Sequence, residues 1–161
     1  MKKLLLTIAV IAFGFVAKAQ DGQFNVGGYI GLPIGDAGDA YSFSYGAEVN
    51  YLFELSEEFQ LGPSLSYQQY LGDTVAGFEI PSVAFLPIAA AARYSISEKF
   101  SVGADLGFAL GIDEGNDGGF YYRPMVGYQV FDKVTLQLSY SGISVEGATV
   151  SNIGLGAVYS F

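Results

Sequence analysis

The sequence predicts an all-β protein: an eight-stranded antiparallel transmembrane β-barrel with up-and-down meander topology, preceded by a cleavable signal peptide. Three observations lead there. Apolar and polar residues alternate along most of the chain, which is the period of a strand with two unlike faces. Beyond the N-terminus no apolar run is long enough to cross a bilayer as a helix, although 51% of the residues are hydrophobic. The chain also ends on a strand pattern, with Ile153, Leu155, Ala157, Tyr159 and Phe161 on one face and Asn152, Gly154, Gly156, Val158 and Ser160 on the other. In a soluble protein such an uncovered edge recruits other chains. A closed barrel requires it, because the last strand must pair with the first.

The N-terminus reads as a removable address. Lys2 and Lys3 form its positive region, residues 4–16 its apolar region, and Ala17-Lys18-Ala19 a small-x-small cleavage site before Gln20. Residues 1–19 are therefore expected to be the signal peptide and residues 20–161 the barrel domain. The apolar run is too short to span a membrane comfortably. No cysteine follows it, which excludes a lipoprotein anchor, and the absence of cysteine throughout removes disulfides, thiol catalysis and thiolate metal sites. The net charge of −9 becomes more negative once Lys2, Lys3 and Lys18 are lost, so the surface repels nucleic acid. Thirteen Phe, 12 Tyr and 22 Gly with only 14% charged residues do not describe a disordered chain.

Eight strands follow in order, at residues 23–32, 43–53, 59–71, 78–96, 100–111, 120–131, 134–141 and 149–161. The second is the clearest: Phe43, Tyr45, Ala47, Val49, Tyr51 and Phe53 alternate with Ser44, Gly46, Glu48, Asn50 and Leu52. The fourth is apolar on both faces. Pro81 and Pro87 suggest bulges or a register shift in it, and its facing before Pro87 stays open. Connections 55–58, 97–99 and 132–133 are short. Connections 33–42, 72–77, 112–119 and 142–148 are longer. Short periplasmic turns, longer outer loops and both termini inside are the pattern of outer-membrane barrels. One unit occurs twice: Ser56-Glu57-Glu58-Phe59 and Ser97-Glu98-Lys99-Phe100 each open a strand with an aromatic at its foot. A propeller blade could also repeat, but two good copies and a faint third at Asp132 suit hairpin-by-hairpin growth better.

A soluble eight-stranded barrel would put its apolar column inside. Two features favour lipid outside. Phe24, Phe43, Tyr51, Phe59, Phe78, Tyr94, Phe100, Phe120, Tyr128 and Phe161 gather near strand ends, like interfacial girdles. The opposite column is rich in glycine, which suits a narrow, tightly curved interior.

The spacing Gly154-x-Gly156-x-x-Tyr159-x-Phe161 resembles the C-terminal assembly signal of bacterial outer-membrane barrels. The whole chain looks like a small outer-membrane β-barrel of the kind common in Bacteroidota. The Ala17-Lys18-Ala19-Gln20 junction, the stretch from Pro81 to Gly111 and the terminal Tyr159-x-Phe161 carry that likeness. The resemblance implies fold, outer-membrane lipid as surroundings, and recognition by the barrel-assembly machinery. It carries over no catalytic residue.

Four charges lie within strand patterns: Glu48, Arg93, Asp105 and Arg123. Alternation points all four inward. Facing lipid, each would cost roughly 2–4 kcal/mol near the midplane. Inward they can pair, since the predicted strand of Asp105 lies between those of Arg93 and Arg123. A gate is one use for such charges; a structural plug is the reading favoured by an interior that its own side chains fill. The acidic run 113–118 fails as a calcium loop, because Gly115 occupies the third ligand position and no Glu stands at the twelfth. With no histidine, Ser-His-Asp chemistry is absent. The expected protein is a monomeric, non-enzymatic outer-membrane barrel without cofactor or metal, structural or surface-interacting, its interior plugged by side chains. A narrow channel or a small-ligand-binding barrel is the alternative, and a lipid-active enzyme the third reading.

Overall fold

The computed structural model describes residues 22–75, 77–145 and 147–161. The predicted signal peptide, with Ala17, Ala19 and Gln20, lies outside the described residues. In chain order the strands are β1 (Gly22–Ile34), β2 (Tyr41–Glu54), β3 (Phe59–Gly72), β4 (Thr74–Val75), β5 (Phe78–Glu79), β6 (Val83–Ser95), β7 (Phe100–Gly111), β8 (Gly119–Phe131), β9 (Val134–Val145) and β10 (Ala148–Ser160). Eight of them form one closed barrel in the order β1-β10-β9-β8-β7-β6-β3-β2, every neighbouring pair antiparallel. β4 and β5 make a separate small hairpin beyond the rim.

Closure is made by β1 against β10, from Asn25 opposite Ser160 to Ile34 opposite Ser151. The Phe161 amide donates to the Phe24 carbonyl at 3.0 Å, and the two rings meet at 5.8 Å. No edge strand of the barrel is left open, which is what hydrocarbon demands of a sheet. The outward column is the long apolar one: Ile30, Leu65, Ile88, Leu106, Val126, Leu138 and Leu155 are all exposed. A soluble monomer would not present a belt of this extent.

The recurring Ser-Glu-x-Phe unit has a local cause. In one turn Ser56 Oγ accepts from the Phe59 amide at 3.1 Å, and in the other Ser97 Oγ accepts from the Phe100 amide at 3.2 Å. Each serine thus satisfies a turn amide and delivers the aromatic to the first position of the next strand.

Three expectations are corrected. The fourth barrel strand begins at Val83, not Phe78; Phe78 belongs to the rim hairpin, pairs with Val75, and is not part of a girdle. Pro87 neither bulges the strand nor shifts its register. Leu65 pairs with Ile88 and Gln68 with Phe85 in one unbroken register, and the β7 side is continuous from Phe85 to Ser95. A missing amide removes a ladder bond without forcing an extra residue into the strand. The seventh strand runs to Val145, so the last loop contracts to a tight turn in which Gly147 takes a φ of 79°. Gly142, expected in that loop, is instead a strand residue covered by the Tyr122 ring: a Cβ there would lie 2.4 Å from Tyr122 Cζ.

Candidate functional site

Inside the barrel the side chains form three zones. The middle zone holds the four predicted charges, all buried. Asp105 on β7 and Arg123 on β8 are direct cross-strand partners. Arg123 reaches Asp105 Oδ2 through Nε at 3.1 Å and Nη2 at 2.7 Å, and Nη2 also donates to Glu48 Oε2 from the far side of the barrel. Arg93 donates through Nη1 to Asp105 Oδ1 at 2.6 Å and to its neighbour Ala92 O at 2.9 Å. Two guanidiniums and two carboxylates thus share one net-neutral network, and the planar fork of arginine suits each shared carboxylate. The Arg123 guanidinium also lies 5.5 Å from the centroid of the Tyr29 ring, within cation–π reach.

Glycine makes room for this zone. Gly103 stands opposite Arg93, and a Cβ there would lie 2.5 Å from Arg93 Cδ. Gly27 stands opposite Glu48, where a Cβ would meet Val158 Cγ2 at 2.7 Å and Glu48 Cγ at 3.2 Å. Gly27 and Gly103 are therefore notches over which long charged side chains lie, beyond any use for curvature.

Towards the long loops the lumen is apolar. Ala37, Tyr70, Phe85, Ala109, Tyr121, Ile143 and Val150 pack together, with Tyr41, Val83, Ala89 and Val145 around them. Tyr70 meets Phe85 edge-on at 6.1 Å and Tyr41 at 5.6 Å. A single 3-10 turn, Gly35–Ala37, folds the first loop over this end and buries Ala37. Between apolar cluster and charges, Gln68 donates to Tyr70 Oη at 2.9 Å and to Ser141 Oγ at 3.1 Å, while Asn152 donates to Tyr70 Oη at 2.9 Å. Gln68 and Asn152 thus carry a polar layer across the bore. Tyr121 Oη has no partner among the described residues, and Gln129 turns to the Asp132 carbonyl.

Sequence reasoning missed the apolar cluster because the inward column reads as largely small and polar. Parity held the missing signal. Phe85, Pro87, Ala89, Ala91 and Arg93 share one face of β6, so a buried Arg93 implies an inward Phe85. Ile143 follows Ser139 and Ser141 on β9 in the same way. The acidic loop is held by its own side chains. Asp113 Oδ2 accepts from the Ala84 amide at 2.6 Å, and Asn116 Oδ1 accepts from the Gly118 amide at 3.1 Å.

Towards the short turns the lumen is polar and hollow. A cavity of about 220 Å³ lies there, walled by Asn25, Asn50, Gln60, Arg93, Gln129 and Gln137 among others. At the C-terminus, Tyr159 and Phe161 point outward with their rings 4.8 Å apart, while Gly154 and Gly156 lie on the inward face.

No protein-family model matches the chain, and no curated protein matches it. Among solved structures it is similar to the outer membrane protein Ail of Yersinia pestis in a phospholipid bilayer nanodisc. That match has a TM-score of 0.61 at 18% identity and covers 88% of this chain and 100% of that one. The N-terminal β-barrel domain of Pseudomonas aeruginosa OprF matches at a TM-score of 0.60 and 14% identity, again over 88% of this chain and 100% of the other. The fold is that of small bacterial outer-membrane β-barrels. A de novo designed transmembrane β-barrel is also similar, with a TM-score of 0.58 at 15% identity over 88% of this chain and 98% of that one. The shared feature is architecture: eight antiparallel strands, closed, with the apolar column facing lipid.

Proposed function

We propose that this chain is a monomeric, non-enzymatic barrel of the bacterial outer membrane, of Bacteroidota type, with a structural or surface-interaction role and a lumen closed by its own side chains. Export uses residues 1–19 as a signal peptide, cleaved between Ala19 and Gln20. The short turns face the periplasm and the longer loops face outside. Gly154, Gly156, Tyr159 and Phe161 serve as the signal read by the barrel-assembly machinery; their place on the closing strand, with both rings outward, supports that role.

The observation that carries the closed lumen is the stacking of two unlike layers. The Glu48–Arg123–Asp105–Arg93 network crosses the middle, and the Tyr70–Phe85–Tyr121–Ile143 cluster fills the space above it. An ion would have to break the first and part the second. Both inward carboxylates are engaged by Arg123, which leaves neither free as a general base and supports a non-enzymatic role. Ail is the attachment invasion locus protein of its organism, and one of its crystal structures contains the heparin analogue sucrose octasulfate. The loop end here carries Asp36, Asp39, Asp73, Glu79, Asp113, Glu114 and Asp117, with no Lys or Arg among the described loop residues. A surface role for this chain therefore excludes polyanions as partners.

Planar-bilayer recording on the purified mature barrel tests the closed lumen. No stepwise current is expected. A stable unitary conductance would replace the closed-lumen reading with the narrow-channel one. Antibody labelling of whole cells checks the orientation: an epitope inserted beside Asp117 should be reached and one beside Glu98 should not, and reversed labelling would invert it.

A further inference from the structure

We infer that the rim hairpin β4–β5 is a docking site for a cationic amphipathic peptide segment, one that carries Lys or Arg residues and an apolar side chain to meet Phe78. The inference rests on the proposed surface role of the longer loops and names the kind of partner that role would use.

The apolar face of the hairpin defines the site. Val75 and Phe78 are direct cross-strand partners, so both side chains stand on one face. Neither is covered. Val75 is 41% exposed, and Phe78, at 76%, is the most exposed large apolar side chain among the described residues. Lipid does not account for this exposure. The last barrel rung on this side pairs Tyr70 with Val83, and the hairpin lies beyond it. One rung earlier, Gln69 on the outward column accepts from Tyr67 Oη and donates to the Val83 carbonyl. A paired polar group on the outer wall marks where the hydrocarbon ends, so Phe78 stands in water.

A hairpin with two-residue strands does not hold itself together. This one is clamped at its base. The Asp73 amide donates to the Ala40 carbonyl of the first loop at 3.0 Å, and the Ile80 amide to the Asp73 carbonyl at 2.9 Å. The Gly72 amide donates to Ser82 Oγ at 3.1 Å. Gly77 turns the chain with a φ of 86°. The Phe78 ring is thus presented on a fixed support, which lowers the ordering cost of binding. Aromatic anchors of this kind carry much of the energy at protein interfaces.

Charge selects the occupant. Asp73 and Glu79 adjoin the apolar pair in the chain. Asp36 and Asp39 lie on the first loop, which the bond to Ala40 ties to the hairpin, and Asp113 is fixed at the start of β6 by the Ala84 amide. No Lys or Arg occurs among the described residues of these loops; Lys99 and Lys133, both exposed, lie at the opposite end. Such a rim repels an anionic lipid surface, an acidic protein and a second copy of this chain alike. It steers a cationic segment towards the hairpin. A partner that was only cationic would leave Val75 and Phe78 in water, so an apolar side chain among its basic residues completes the fit.

The test uses the mature barrel in nanodiscs of zwitterionic lipid and follows the fluorescence anisotropy of a short labelled peptide of alternating Lys and Leu. A Lys–Ser peptide of the same length and empty nanodiscs are the controls. Saturable binding is expected, at least about tenfold tighter for Lys–Leu than for Lys–Ser, and weakening as salt rises. Phe78→Ser should weaken the Lys–Leu peptide by about tenfold; the side chain is exposed, so this variant does not put folding at risk. Asp73→Asn with Glu79→Gln should weaken it by about threefold and flatten the salt dependence, while Asp132→Asn at the short turns should change neither. The inference is overturned if empty nanodiscs take up the peptide equally, if Lys–Ser binds as tightly as Lys–Leu, or if Phe78→Ser leaves binding unchanged. A Phe78-dependent dimer of the barrel would overturn it in favour of a second copy. Broadening of the Phe78 ring signals by spin-labelled lipid, before any peptide is added, would overturn it in favour of the bilayer. None of these outcomes bears on the closed lumen or the orientation, which conductance and whole-cell labelling read separately.

Discussion

At the long-loop end of the lumen, Tyr70, Phe85, Tyr121 and Ile143 interlock under a loop that buries Ala37. At the short-turn end, Asn25, Asn50, Gln60 and Gln137 surround about 220 Å³ of space. The same eight strands, with the same number around the ring, produce both. Strand count sets the bore of a barrel; what occupies the bore depends on side-chain volume and on whether a loop folds inward. Aromatic and branched residues fill one end. Carboxamides leave the other hollow, because their polar ends must be hydrogen-bonded or wet and cannot simply be pressed together. The charge network is the boundary, and it is the element on which both ends depend.

The sharpest way to break this contrast is at the boundary. Asp105→Ala leaves Arg93 and one face of Arg123 without their shared carboxylate. Stranding a buried charge costs roughly 3–5 kcal/mol, which urea unfolding of the barrel in lipid vesicles would read as a large drop in midpoint. Asp117→Ala in the loop should stay within about 0.5 kcal/mol of the parent. Equal midpoints for the two variants would remove the network from the stability of the fold.

The next effect separates the two ends directly. Ile143→Ala removes methyl groups from the packed cluster and should cost about 2–5 kcal/mol. Leu52→Ala removes a side chain that already borders the cavity, so fewer contacts are lost and its cost should fall at or below the bottom of that range. If Leu52→Ala proves the more damaging in the same unfolding experiment, the short-turn end is packed and the contrast fails.

A smaller effect sharpens the role of the notches. Gly103→Ala places a methyl group against the Arg93 side chain and the Ala92 carbonyl. Overpacking of this kind costs roughly 1–3 kcal/mol, and the displaced arginine should show as a change in the Arg93 Nε resonance. Gly115→Ala, in a loop where a Cβ meets nothing within 4 Å, should leave that resonance alone and report only its own positive φ of 81°. An unmoved Arg93 signal in Gly103→Ala would show that the notch is not needed.

Strand identity, facing and closure were legible in the sequence because each depends on period two, which one chain displays on its own. The inward facing of Glu48, Arg93, Asp105 and Arg123 followed from the same alternation together with the cost of a charge in lipid. Cross-strand neighbours such as Asp105 and Arg123 were close to legible, since hairpin-by-hairpin growth puts consecutive strands side by side. The reach of Arg123 to Glu48 was not, because those residues lie on β8 and β2, which are not neighbours, and meet only across the closed bore. Nor was the apolar cluster, which draws Ala37 from a loop, Phe85 from β6 and Val150 from β10 into one place. The run from Val83 to Ser95 is apolar on both faces, so hydrophobicity alone could not face it; parity with the inward Arg93 does, and the register against β3 and β7 agrees. Alternation is a property of one strand and is written in one strand. What fills a bore is a sum over eight strands and a loop, and only closure of the barrel brings those terms together.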